Sequence, residues 1–129
     1  PYFVIKKIIN TPHAPKPVGP YNQAVLAGNT LFVSGQIPIN PASGELFKGD
    51  VKEQTRIVME NLKAILAEAG MDFTHVVKCS IFLSDMKDFP LVNGVYGAYF
   101  PENPPARETV QVGALPLYAD VEISCIAIK

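Results

Sequence analysis

The sequence predicts an α+β fold: one β-sheet carrying two helices on a single face. Three observations lead there. Six β-type runs are interrupted by only two segments of helical periodicity, in the order β-β-β-α-β-α-β-β. Both helical segments are apolar along one stripe, the pattern of a helix that covers one face of a layer. Finally, 129 residues with 48% hydrophobic and 18% charged side chains suit one compact domain, residues 1–129, with a sizeable core. The charged fraction is below the usual value of about 25%, which points to some surface being covered by another subunit.

Residues 1–9 read as the first strand. Thr11 to Pro20 holds Pro12, Pro15, Pro17 and Pro20 and also Gly19, so it is an extended loop. Gln23–Ala27 and Thr30–Ile37 follow as two strands, and Gly28-Asn29 between them reads as a tight hairpin turn. Pro38 to Gly49 is a loop with turn residues at Asn40-Pro41 and Ser43-Gly44. Asp50 caps the first helix, and Glu53 three residues on suggests a capping box. Val58, Leu62, Ile65, Leu66 and Ala69 make its apolar stripe, and Gly70 is its stop. Residues 75–83 are rich in β formers. A second helix begins near Asp88 with Pro90 in its first turn, carries Phe89, Val92, Tyr96, Tyr99 and Phe100, and is ended by Pro101. Strands at about 106–112 and 120–128 close the chain. No internal repeat or domain boundary is visible.

Composition narrows the function classes. A net charge of −1 with no basic run lacks the electrostatic footprint of a dedicated nucleic-acid binder. No apolar stretch approaches the roughly 20 residues of a membrane span. The first seven residues lack the signal-peptide order of charge, apolar run and cleavage site, so the cytoplasm is the expected compartment. Cys79 and Cys125 lie in apolar runs and are expected to be buried and reduced. His13 and His75 are far apart and no CxxC or HxxxH pattern occurs, so no metal site is expected.

Polar residues single out a candidate site. The chain has two arginines, and Arg107 follows a proline pair in Asn103-Pro104-Pro105-Ala106-Arg107. The prolines restrict the backbone and let a strand start cleanly, which fixes Arg107 on a rigid element. A planar guanidinium there suits a carboxylate or phosphate, or equally a structural salt bridge. Glu122, on the next strand, is its expected partner across an antiparallel pairing. Ser34 and Gln36 are expected on the same side of their strand as Phe32. With Arg107, Thr109 and Gln111, which share one side of their strand, and with Glu122 and Ser124, they are expected to form a mixed second face of the sheet, away from the helices. Packing against further copies of the chain explains both the polar residues and Phe32, Ile126 and Ile128 on that face. Tyr21 sits at a strand start after the proline loop. Gly35, inside a strand, suggests a bulge or the close approach of a ligand. Asn93 lies among apolar neighbours in the second helix. No GxSxG, P-loop or metal motif appears.

These residues carry a resemblance. Gly19-Pro20-Tyr21, Val33-Ser34-Gly35-Gln36-Ile37, the stretch from Val76 to Asn93, Pro105-Ala106-Arg107 and Val121-Glu122-Ile123 resemble the reactive intermediate deaminase A family (RidA, YjgF-like), from about residue 7 to residue 128. The resemblance implies a chorismate-mutase-like fold, a mixed sheet with two helices on one face. It also implies a homotrimer with a central β-barrel and with ligand clefts between subunits. The implied activity is hydrolysis of 2-imino or 2-enamino acids, such as 2-aminoacrylate, to 2-keto acids and ammonia, without a cofactor. By motif match Arg107 binds the substrate carboxylate, Glu122 places the attacking water, and Tyr21, Ser34, Gly35 and Asn93 line the cleft. Tyr21 either assists proton transfer or closes the pocket. Many members carry a cysteine two residues after the arginine; this chain has Thr109, whose backbone N–H can still meet the carboxylate. Two other readings come with the family: a regulatory protein that binds 2-keto acids without turnover, and an endoribonuclease or translation inhibitor. Chorismate mutase activity rests on fold analogy alone.

Overall fold

The computed structural model describes residues 5–129. The strand expected at residues 1–9 appears as β1 (Lys6–Ile9), and residues 1–4 of that expectation lie outside the described residues. β2 (Ala24–Ala27) and β3 (Thr30–Gln36) form the hairpin, with Ala27 paired to Thr30 and Gly28 at a φ of +60°. Then come α1 (Val51–Glu68), β4 (Val76–Leu83), α2 (Phe89–Ala98), β5 (Ala106–Gln111) and β6 (Val121–Ile128). The expected order of elements is observed. Two single-turn 3-10 helices, Phe73–His75 and Met86–Asp88, and a turn at Pro116–Tyr118 with left-handed backbone at Leu117 and Tyr118, are too short for periodicity to reveal.

Local chemistry sets the helix ends. The Asp50 carboxylate accepts a hydrogen bond from the Lys52 N–H at 2.7 Å, as an N-cap should. The capping box is not formed. Glu53 turns instead to Arg56, one turn on, and accepts from both Nε and Nη2. That charge-assisted fork is stronger than a reach back to a backbone N–H. Gly70, at φ +72°, supplies the left-handed residue that stops α1.

The strand order is β1-β2-β3-β6-β4-β5. Every pairing is antiparallel except β4–β5, which is parallel. β6 is the last strand made, yet it lies between β3 and β4 and pairs with both. The two helical crossovers, β3–α1–β4 and β4–α2–β5, step in the same direction along the sheet. Right-handed crossovers in one direction place both helices on one face. Between them and the sheet lies the core. Val58, Leu62, Ile65 and Leu66 of α1 meet Leu31, Ile81 and Ile123, all with no exposed surface. Ala69, expected in the same stripe, is only partly covered. Cys79 and Cys125 stand opposite each other on β4 and β6, buried and unbonded, and burial pushes both thiols up from their ordinary proton affinity. No helix among the described residues is long and apolar enough to cross a membrane.

The opposite face of the sheet is uncovered. The register aligns Ile8, Val25, Phe32 and Ile126 in one row across four strands, and Phe32 is 49% exposed. Lys78, Ser80 and Glu108 stand beyond that row, with Lys78 paired to Glu108 at 2.9 Å.

Buried glutamines hold the irregular parts. Gln23, 2% exposed, donates from Nε2 to the carbonyls of Thr11, Ala14 and Pro15 and accepts from the Thr11 N–H. The proline loop, which cannot pair with a strand, is thus satisfied by one side chain. Gln54 does the same for the segment before β6. It donates to the Asp120 carboxylate at 2.8 Å and accepts from the Asp120 N–H at 3.1 Å, fixing the start of β6. Replacing Gln23 with Leu leaves several buried backbone groups without partners. The expected loss is about 2–4 kcal/mol of stability, read as a lower urea midpoint with an unchanged slope.

Candidate functional site

The residues singled out by sequence fall into two clusters, on opposite faces of the sheet. This corrects two expectations. Arg107 and Glu122 are not cross-strand partners, because β4 lies between β5 and β6. Nor do Arg107, Thr109 and Gln111 belong to the face away from the helices. Arg107 pairs with Cys79, whose side chain is under the helices, while Glu122 pairs with Phe82, on the other side of the pleat. The physical reason is the parallel β4–α2–β5 crossover, which carries β5 to the far edge of the sheet.

The first cluster is built on that edge. The Arg107 guanidinium carbon lies 4.9 Å from the Tyr96 ring centre and 5.5 Å from that of Phe89. Both rings come from α2, seven residues apart, and therefore share a helix face. Asn93, four residues after Phe89 and three before Tyr96, lies along the same face and is half-buried. Among the described residues Arg107 makes no ion pair, and Asn93 makes no side-chain hydrogen bond. The stacked rings hold the guanidinium plane by cation–π attraction and leave its N–H fork open. Thr109, next along the same side of β5, has a buried Oγ1 with no hydrogen-bond partner, and so does the Tyr96 hydroxyl. Burial against Cys79 pushes the Tyr96 phenol well above its ordinary range. A fixed, unpaired guanidinium flanked by an amide and unsatisfied hydroxyls is suited to an anion such as a carboxylate.

The second cluster surrounds Glu122. Between Val33 and Gln36 the register with β6 slips by one residue, so Ser34-Gly35 form the bulge that the glycine suggested. The bulge sends Gln36 to the helix side, where it is 6% exposed, and not to the side of Phe32 as the simple alternation predicted. At Gly35 a Cβ would lie 2.8 Å from the Glu122 carboxyl carbon. The absence of a side chain there is what admits the carboxylate. The Ser34 hydroxyl donates to the Asn22 carbonyl at 2.6 Å, which ties β3 to the residue after Tyr21. Tyr21 is half exposed, and its hydroxyl oxygen accepts from the Val18 N–H at 3.4 Å. Tyr21, Gly35 and Glu122 line one cavity of about 250 Å³, with walls that include Val18, Ile37 and Leu117. Burial raises the proton affinity of Glu122 above that of an ordinary carboxylate. Such a group can exchange a proton with a bound water nearer to neutral pH.

Tyr21, Gly35 and Glu122, which the motif match assigns to one cleft, line one cavity, whereas Arg107 and Asn93, assigned to the same cleft, stand on the helix side of the sheet. Three residues beside them were not singled out. Phe89 and Tyr96 looked like ordinary core positions; their seven-residue spacing on α2 was the available signal. Leu117 carried no signal. A larger, more open groove of about 710 Å³ runs along α1 past His13, Asn61 and Lys63. It contains none of the singled-out residues, and its Arg56 and Glu60 are engaged by Glu53 and Tyr99. No cluster of metal-binding side chains occurs among the described residues.

Comparison with known proteins shows the family. The chain matches the family model described as Endoribonuclease L-PSP over residues 11–129. It belongs to the Rid (YjgF/L-PSP) family. Among its relatives in that family is the protein DfrA of Myxococcus xanthus, 57% identical over 126 residues, covering 96% of each chain. The 2-iminobutanoate/2-iminopropanoate deaminase of Bos taurus is 47% identical over 126 residues, covering 98% of this chain and 92% of that one. A crystal structure of E. coli TdcF with bound serine superposes with a TM-score of 0.91 at 41% identity, covering 95% of this chain and 98% of that chain. The Rid fold is therefore shared along nearly the whole chain.

The tight contact at Gly35 is testable without an activity. Gly35→Ala should displace the Glu122 carboxyl while keeping the sheet, at a cost of about 1–3 kcal/mol. A crystal structure of the variant in which Glu122 has not moved would contradict the close approach.

Proposed function

We propose that this chain is a 2-iminobutanoate/2-iminopropanoate deaminase, hydrolysing 2-imino acids and their enamine tautomers to 2-keto acids and ammonia. The observation that carries the proposal is the pair of half-sites: an arginine held open by aromatic rings, and a glutamate of raised proton affinity in a cavity. Named imine deaminases among the relatives support the same reading.

The two half-sites lie on opposite faces of one sheet, so we take the working site to lie between copies. The uncovered row Ile8, Val25, Phe32 and Ile126 supplies an apolar surface for such packing. The copies form a homotrimer with a central β-barrel. Arg107 of one copy grips the substrate carboxylate, helped by the Thr109 N–H and by Asn93. Glu122 and Tyr21 of another copy face the imine carbon, beside Ser34 and Gly35. Glu122 takes a proton from water as the water oxygen bonds to C2, the C=N electron pair passes to nitrogen, and Glu122 returns that proton to the nitrogen. The carbinolamine O–H proton is then passed through Glu122 to the nitrogen, so that ammonia leaves as the C–N bond breaks and the new C=O forms. Orientation and local charge do most of the work, and no cofactor enters.

Two experiments test the reading. Arg107→Ala should lower kcat/KM by roughly 10²–10³-fold, as loss of a charged grip does. Glu122→Gln should remove turnover yet retain 2-keto-acid binding; retained turnover would sink the assignment of Glu122 as base. Mixing the two inactive variants probes the divided site. Random trimers should regain about a quarter of wild-type activity, because only interfaces with an intact arginine and an intact glutamate work. No recovery would place both residues in one subunit's site.

The pH profile follows from Glu122. Only its carboxylate form can accept a proton, and burial raises its pKa above the ordinary 4.5. Activity should therefore be full above that raised value and fall as pH drops through it. An acid limb at or below 4.5 would contradict the burial of the group in the working enzyme.

A further inference from the structure

Leu117 and Tyr118 are consecutive residues in the left-handed region, with φ of 56° and 58°. A residue with a β-carbon pays a steric cost there, and a glycine or asparagine would sit more comfortably. The corner is nevertheless held firmly. Leu115 and Ala119 on either side are buried, the Tyr118 N–H donates to the Leu115 carbonyl at 2.9 Å, and the Ala119 N–H donates to the Pro116 carbonyl at 3.2 Å. At the apex, Leu117 is 59% exposed. Its side chain therefore adds little to the core, and stability does not account for a leucine at this position. Strain kept at such a point directs attention to function.

Leu117 lines the cavity that holds Glu122. Val18, on the proline loop that Gln23 pins, lines the same cavity, and Ile37 and Ile39 add to its apolar walls. We infer that Leu117 sets side-chain specificity at this site, favouring 2-imino acids with leucine- or methionine-sized apolar side chains over the methyl-bearing and acidic ones. The inference rests on the deaminase reading above. Size supports it: an apolar cavity of roughly 150 Å³ is enough for benzene, and this one has about 250 Å³. It can take a branched aliphatic group beside the reacting water. Charge supports it as well. An acidic side chain entering the cavity would meet the half-buried Glu122 carboxylate, while the one cation in the lining, Lys16, is exposed to water.

The test compares imines made by an amino-acid oxidase from alanine, norvaline, leucine and methionine, and follows their decay with the wild type and with Leu117→Asn and Leu117→Gly. Both replacements tolerate the left-handed backbone, so the fold is expected to persist. The wild type should prefer the leucine-derived over the alanine-derived imine by roughly tenfold or more in kcat/KM, and both variants should lose about tenfold of that ratio. Tyr118→Asn, at a neighbouring side chain that does not line the cavity, should leave the ratio unchanged. A wild type without preference, a ratio unchanged in both Leu117 variants, or an equal shift in Tyr118→Asn overturns the inference. If the wild type accelerates no imine, the deaminase reading fails, and the wall is read instead by binding of 4-methyl-2-oxopentanoate against pyruvate and 2-oxoglutarate. A roughly tenfold preference lost in Leu117→Asn supports the inference; equal affinities overturn it.

Discussion

The insertion of β6 between β3 and β4 is the constraint on which the rest depends. A strand made last must enter a gap left by strands made earlier, and its antiparallel register with both neighbours decides which side chains face the helices. Val121, Ile123, Cys125 and Ala127 complete the core, while Glu122, Ser124 and Ile126 are turned away. Placement of Glu122 follows from this alternation, and a slip by one residue would bury the carboxylate and expose the core. Gln54 guards against that slip by holding Asp120, the residue before the strand.

The sheet also separates the chemistry. Arg107 reaches the helix side because a parallel crossover carries β5 to the edge, where α2 offers two rings. Glu122 reaches the other side because β6 is antiparallel to both neighbours and its parity with Phe82 is fixed. Stacked aromatic rings orient a cation without neutralising it. A carboxylate partner at the same place would have spent the guanidinium fork on a structural bond.

Much of this was legible in the residues. Hydrophobic periodicity located both helices and all six strands, since burial on one stripe or one face is a local pattern. The Gly35 bulge and the proline loop were legible too, because glycine and proline limit the backbone directly. Pairing was not. Nothing local in Ala106–Gln111 says that it joins β4 in parallel, so the expected Arg107–Glu122 partnership failed on topology and not on chemistry. The capping box at Asp50 failed through competition, as Arg56 offered Glu53 a stronger partner. The left-handed corner at Leu117 had no glycine or asparagine to announce it.

Cys79 and Cys125 face each other in the middle of the sheet, with little thiolate available because burial holds the protons on sulfur. As long as the fold is closed, electrophiles find almost nothing to attack. A thiol reagent added to the native protein therefore acts as a clock. Its rate of reaction counts the openings of the central strands, and ligands that tighten the sheet slow the clock without touching either sulfur.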